Sequence, residues 1–317
     1  MEDDRLELLG QVASWYYEDN MDQSVIAERI GKSRSMVSRI LQEAREAGLV
    51  EIKVTFPLKR DSELETRLRQ TFNLAQAYIL ANPPDDEQLL RHRLGSLGAR
   101  CLQDHLCDGI RIGLGSGTTV HQVVRAMPAI ELKNVKVIQI SGAIGTGSPA
   151  FDGSELTRWL SEKLSATYHV LYAPLVVKDE ALAESLLQDP TIADTLTQAS
   201  QVDLALIGIG TLDPTLSSLQ RVGYLNETDL AALHQIGAVG DVLSRHFDGQ
   251  GNPVNLPVNR RAIGLDLATI RSIPTVIAVA GNAIKAPAIL AALRGGFIKV
   301  LVTDSLTTTQ ILALHGG

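Results

Sequence analysis

The densest chemistry in the sequence lies in Ile110-Arg111-Ile112-Gly113-Leu114-Gly115-Ser116-Gly117-Thr118-Thr119, an apolar run that turns through glycines into hydroxyl-bearing residues. Glycines let a backbone approach an anion closely. The hydroxyls of Ser116, Thr118 and Thr119, with the free N–H groups of a following helix, supply donors, so the chemistry on offer is the cradling of a phosphate or sugar phosphate. The run is not a Walker A loop, because no Lys-Ser/Thr pair ends it, nor a GxGxxG fingerprint, because Thr118 follows the third glycine directly. Tight packing of a strand against a helix accounts equally well for one such turn.

Three further glycine-rich segments follow apolar runs: Ser141-Gly142-Ala143-Ile144-Gly145, Gly208-Ile209-Gly210 and Ala280-Gly281-Asn282. One such turn is packing; several converging turns form a bed for a ligand. Polar residues near them are Asp241, Lys285 and Asp304. An aspartate can accept hydrogens from sugar hydroxyls, and a lysine can balance a phosphate. Each has a plainer alternative: a turn cap for Asp241, a solvated helix residue for Lys285, a helix N-cap for Asp304. The candidate ligand set is therefore Gly115, Ser116, Gly117, Thr118, Thr119, Gly142, Asp241 and Lys285.

No catalytic or metal-binding set accompanies them. The seven histidines are scattered without metal-ligand spacing and no GxSxG elbow occurs, so neither metal nor cofactor is expected. Cys101 and Cys107 lack a CxxC arrangement and are expected to face the interior of a helix.

A second constellation lies near the N-terminus. Helical apolar spacing predicts helices over Asp4–Asp19, Asp22–Gly31 and Ser33–Ala47, the last with Val37, Ile40, Leu41 and Ala44 on one face. Two short helices joined by the tight turn Gly31-Lys32-Ser33 match the helix-turn-helix plan, in which the second helix enters the DNA major groove. Ser33, Arg34, Ser35, Ser38 and Arg39 form its exposed start, and Gln23 and Ser24 open the preceding helix. Arginine can bond guanine bidentately, while serine and a helix N-terminus can hold phosphate. Trp15, Tyr16 and Tyr17 read as core and inter-domain contacts. Leu49–Val54 alternates apolar and polar residues as an edge strand, a candidate wing.

The elements that must position these groups follow from length and composition. A chain of 317 residues with 45% hydrophobic and 21% charged residues fits two folded domains and excludes a disordered chain. The acidic start MEDDRLELLG lacks a signal peptide's features, and no apolar run is long enough to span a bilayer, so a cytoplasmic location is expected. The formal net charge of -7 speaks against indiscriminate nucleic-acid binding, yet residues 31–41 carry Lys32, Arg34 and Arg39 with no acid. The expected domains are 1–54 (helix-turn-helix), 55–72 (a linker with an amphipathic helix from Ser62 to Phe72, a possible oligomer contact) and 73–317. Strand candidates in the last are 77–80, 110–114, 135–140, 169–173, 202–209, 275–279 and 299–302. Their alternation with helices predicts an α/β fold, a doubly wound, mostly parallel sheet.

These ordered features resemble the SorC family of bacterial transcription regulators over essentially the whole length. The match rests on Trp15-Tyr16-Tyr17, Gln23 to Ala27, Ser33 to Leu41, Gly113-Leu114-Gly115 with Thr118, Gly237 to Asp241, Ala280-Gly281 with Lys285, and Leu301 to Asp304. The resemblance implies a winged helix-turn-helix domain binding operator DNA, and an effector domain folded like sugar-phosphate isomerases and glucosamine-phosphate deaminases. It also implies a homotetramer controlling a carbohydrate uptake or catabolism operon. By the same resemblance, the loop at Ser116 to Thr119 holds the phosphate of the effector, and Asp241 and Lys285 contact its sugar or phosphate. Where the family often has a second glycine after Ala-Gly, this chain has Asn282.

Three functions are open on the residues: a regulator whose DNA affinity responds to a phosphorylated sugar, a sugar-phosphate isomerase or deaminase with an accessory module, and a constitutive DNA-binding oligomer. The enzyme would need a positioned acid and base, for which the sequence offers only Asp241 with Asp304 or His121. The regulator is favoured over an enzyme.

Overall fold

The computed structural model describes residues 2–50, 58–145 and 152–316. The chain divides into two compact units, 1–57 and 58–317. The candidate wing at Leu49–Val54 and the Phe56-Pro57 boundary fall largely or wholly on residues 51–57, outside the described residues.

In the smaller unit, helices α1 (Glu2–Tyr17), α2 (Gln23–Arg29) and α3 (Arg34–Glu46) enclose a core of Leu9, Val12, Ile26, Val37, Ile40, Leu41 and Ala44. Trp15, Tyr16 and Tyr17 pack against this core, and the Arg29 guanidinium lies 4.2 Å from the centre of the Trp15 ring. Gly31 at φ 65° ends α2 in the left-handed region, and Ser33 caps α3 by accepting from the Met36 N–H at 3.3 Å.

The larger unit is built on one parallel sheet. Its strands are β1 (Gln76–Leu80), β2 (Arg111–Leu114), β3 (Lys136–Gln139), β4 (Thr167–His169), β5 (Leu204–Ile207), β9 (Thr275–Val279) and β10 (Val300–Asp304), in the order β1-β10-β9-β5-β2-β3-β4. Every pairing in this sheet is parallel. Alternate residues feed two cores. Ala77, Ile79, Ile138, Ala205, Ile207, Val276, Ala278 and Leu301 pack with helix 286–294 on one face. Tyr78, Leu80, Ile112, Leu114, Val137, Leu204, Leu206, Ile277 and Val302 pack on the other face with the helices that follow β1 and β2.

Between β5 and β9 the chain forms a second, antiparallel sheet of β6 (Gly210–Thr211), β7 (Ala238–Val242) and β8 (Arg245–Asp248). The alternating strand and helix pattern does not reveal this sheet. The fourth parallel strand also differs from its expected span of 169–173, because pairing with β3 ends at His169. Beyond it the side chain of Gln139 accepts from the Leu171 N–H at 3.1 Å in place of a ladder bond, and Tyr172 is 76% exposed.

Two other expectations are corrected. Helix α4 (Ser62–Phe72) is part of the larger unit rather than a linker: Leu68 is fully buried, and the Glu65 carboxylate accepts from the Ile79 N–H of β1 at 2.9 Å. Cys101 is buried in helix α5 (Glu87–Gln103), but Cys107 lies beyond that helix and is exposed.

Candidate functional site

Strand order locates a crevice. The chain passes from β2 to β3 on one side and from β5 towards β9 on the other, so neighbouring β2 and β5 form the switch point at which α/β sheets bind ligands beyond their carboxyl ends. The residues after β2, from Gly115 to Gly117, lead there into helix α6 (Thr118–Ala126). Gly117 sits at φ 133° as the N-cap, a conformation that favours glycine, and among the described residues no side chain caps the helix start with a hydrogen bond.

Two adjoining cavities open at this point. The first is lined by Ser116 to Thr119, Gly208 to Gly210, Asp241, Ser244 and Lys285. The second shares Thr118, Thr119, Ser218 and Lys285 with it and adds Glu87, Arg91, Arg221 and Asn282. Ser116, Gly117, Thr118, Thr119, Asp241 and Lys285 thus come together. Gly115 and Gly142 do not line either cavity. A Cβ at Gly115 would lie 2.8 Å from Leu243 Cδ2, and one at Gly142 2.3 Å from the Pro174 carbonyl oxygen, so both are glycine for close packing.

Asp241 is fixed by its hairpin. The turn between β7 and β8 places Leu243 at φ 51° and Ser244 at φ 62°, the left-handed pair of a two-residue type I′ turn, but without the glycine or asparagine that normally relieves it. The Asp241 carboxylate accepts from the Ser244 N–H at 3.1 Å and so supports the turn. On the other side it faces Gly210, where a Cβ would come within 1.9 Å of Asp241 Oδ1. Ser244 Oγ is buried with no hydrogen-bond partner among the described residues, an orphaned hydroxyl on the cavity wall.

Lys285 approaches from the turn after β9. Asn282, at φ 84°, takes a glycine-like conformation there; its side chain accepts from the Ile284 N–H at 3.1 Å. Asp304 anchors the turn, accepting from the Asn282 N–H at 3.0 Å and from the Thr307 N–H and hydroxyl. The Lys285 ammonium donates to the Ile209 carbonyl at 3.1 Å.

Burial pushes the Asp241 carboxyl above its usual range, opposed by His246, the Ser244 N–H and Lys285. It pulls the Lys285 ammonium below its usual range, opposed by Asp241 and reinforced by Arg91 and Arg221. A carboxyl whose pKa is raised on folding contributes stability below its unfolded pKa of about 4, and that contribution is lost as pH rises through the folded value. Asp241→Asn retains an acceptor for Ser244 and removes the titration. Thermal denaturation between about pH 4 and 7 is expected to show a smaller loss of stability with rising pH in this variant; superimposable profiles would refute the assignment.

Residue spacing did not identify Arg91, Arg221, Ser218 or Ser244. They belong to separate elements that only the fold brings together. The acid–base candidates stay apart: Asp304 is occupied by the turn it anchors, and the His121 ring, 5.9 Å from that of Trp159, lines neither cavity.

In the smaller unit Ser24, Ser33, Arg34, Ser35, Ser38 and Arg39 are exposed and Gln23 is partly so, on the side of α2 and α3 away from Ile26, Val37 and Ile40. Ser33 and Ser35 join their hydroxyls at 2.9 Å. Ser33 also caps α3, so of this set its hydroxyl is already engaged within the helix start.

A trihelical unit with a basic exposed helix, joined to an α/β unit with a polar ligand crevice, defines a ligand-responsive DNA-binding regulator. The Sugar-bind family model, a sugar-binding domain, matches residues 57–313. The deoxyribonucleoside regulator of Bacillus subtilis is 31% identical over 313 residues, covering 98% of this chain and 99% of its own length. The transcriptional regulator LsrR of Klebsiella pneumoniae is 31% identical, covering 97% and 93%. The full-length sorbitol operon regulator SorC of Klebsiella pneumoniae superimposes with a TM-score of 0.74 at 26% identity, covering 98% and 99%. The chain belongs to the SorC family of transcriptional regulators and carries its sugar-binding domain. Among the described residues no helix is long and apolar enough to cross a membrane.

Proposed function

We propose that the effector is a phosphorylated sugar and that the protein, working as a homotetramer without enzymatic activity, uses it to control an operon for carbohydrate uptake or catabolism. The observation that supports this most directly is the crevice in which the donors of Ser116 to Thr119 face Lys285 while buried Asp241 and the orphaned Ser244 hydroxyl stand beside them. Phosphate suits the helix start and the ammonium; sugar hydroxyls suit the carboxylate and serine. Gly115 and Gly142 shape this wall by packing. Operator DNA is contacted by Gln23, Ser24, Ser33, Arg34, Ser35, Ser38 and Arg39. The effector binds one arrangement of the subunits better than another and so changes how recognition helices are paired. Isomerisation or deamination is disfavoured because neither Asp304 nor His121, the acid–base partners considered for Asp241, lines the crevice.

The test combines two measurements on the full chain. In a thermal-shift screen of phosphorylated sugars, an effector at 100 times its Kd is expected to add about 2.7 kcal/mol of stability. The name of the Bacillus subtilis relative places deoxyribonucleosides and their sugar phosphates in that screen. The compound that stabilises the protein is then expected to shift its affinity for DNA from the region adjoining its own gene. Unchanged DNA affinity at saturation would sink the regulatory reading, and enzyme-like turnover would replace it.

A further inference from the structure

We infer that Met36 is a specificity-determining residue of the DNA-binding unit and contacts the C5-methyl group of an operator thymine close to the base pair read by Arg39. This deepens the reading of α3 as the helix that meets the bases, and rests on it. Met36 stands in the first turn of α3 and is 37% exposed, the one large apolar side chain among the described residues of that helix that the core does not take in. Val37, Ile40, Leu41 and Ala44 form the buried face, and Met36 belongs neither to their cluster nor to the residues packed against it. Its backbone N–H is the one that Ser33 caps, so the side chain has no part in closing the helix start.

The surroundings of Met36 are otherwise polar: Ser33, Arg34, Ser35, Ser38 and Arg39 are all exposed. Arginine and serine can bond the polar edges of bases in the major groove, whereas the methyl group of thymine calls for an apolar partner. An unbranched thioether side chain, with three rotatable bonds, can reach such a group and adapt to it. Met36 precedes Arg39 by three residues, so the two are neighbours on the helix surface, separated by about 4.5 Å of helix rise. Base pairs stack at about 3.4 Å. The thymine is therefore expected within about two base pairs of the guanine that Arg39 bonds.

Deoxyuridine scanning of an operator selected from random-sequence DNA by the full chain tests this, because deoxyuridine differs from thymidine only in lacking the methyl group. At least one thymine is expected whose replacement weakens wild-type binding about 4-fold, the worth of one buried methyl group. In Met36→Ala the same replacement is expected to cost nothing further. Met36→Leu, which keeps a large apolar side chain, is expected to retain the response. Val25→Ala truncates the exposed apolar residue of α2 instead and is expected to respond as wild type does. No responsive thymine, an unchanged response in Met36→Ala, or a response lost in Val25→Ala alone overturns the inference and leaves α3 as the base-contacting helix through Arg39. Failure to select any operator overturns both.

Discussion

Alanine in place of Gly210 is expected to cost about 1–3 kcal/mol of stability, as overpacking does, and to weaken effector binding roughly 10- to 100-fold through loss of charge-assisted contacts. The reason is a single approach. Gly210 of β6 pairs with Asp241 of β7, and a Cβ at position 210 would sit 1.9 Å from Asp241 Oδ1 and 2.7 Å from its carboxyl carbon. No rotation of a flexible side chain clears such an overlap cheaply, because the carboxylate is buried and its other oxygen holds the Ser244 N–H. Either β6 moves from β7 or Asp241 turns away, leaving Leu243 and Ser244 in left-handed conformations without their support. At about 2–4 °C per kcal/mol, the melting temperature falls by several degrees. Gly208→Ala is the control: its Cβ would meet only Val120 Cγ2 at 3.9 Å, so stability is expected to stay within about 0.5 kcal/mol of wild type. Thermal denaturation and calorimetric titration of both variants check the pair, and equal behaviour would show that Asp241 is not held by this contact.

The same contact shows which features were legible in the sequence. The parallel strands stand out because burial on both faces makes them nearly continuous apolar runs, such as Leu204 to Ile207 and Thr275 to Val279, ended by glycines. The cradle at Ser116 to Thr119 is legible because its residues are adjacent. The β6–β8 sheet is not: β6 has two residues, β7 contains glycine and aspartate, and the turn between β7 and β8 uses leucine and serine where turn chemistry favours glycine or asparagine. Arg91 and Arg221 were hidden for a different reason. Each lies on a helix where a charged residue is ordinary, and only the fold sets them around Lys285. Gly142 passes close to Pro174, and a glycine needed for such an approach looks, in sequence, like one needed to admit a ligand.

Replacing Arg39 with alanine is expected to reduce affinity for the specific operator by about 1–3 kcal/mol if its guanidinium reads a guanine. Val37, Ile40, Leu41 and Ala44 fix the buried face of α3, and Arg39 lies on the exposed side with Ser35 and Ser38, so truncation removes no core contact. The two-unit organisation confines the effect to residues 1–57, and effector binding by residues 58–317 is expected to be unchanged. Charge gives the test its contrast. Residues 1–54 hold 7 Lys+Arg against 11 Asp+Glu, so attraction to phosphate alone is weak and affinity depends on the bases contacted. With an operator selected from random-sequence DNA, wild-type affinity should fall when the contacted guanine is replaced by 7-deazaguanine, which removes the N7 acceptor. In the variant that replacement should cost nothing further. A loss that is uniform across sequences would instead make Arg39 a phosphate contact, and unchanged affinity would leave base reading to Arg34 and Ser35.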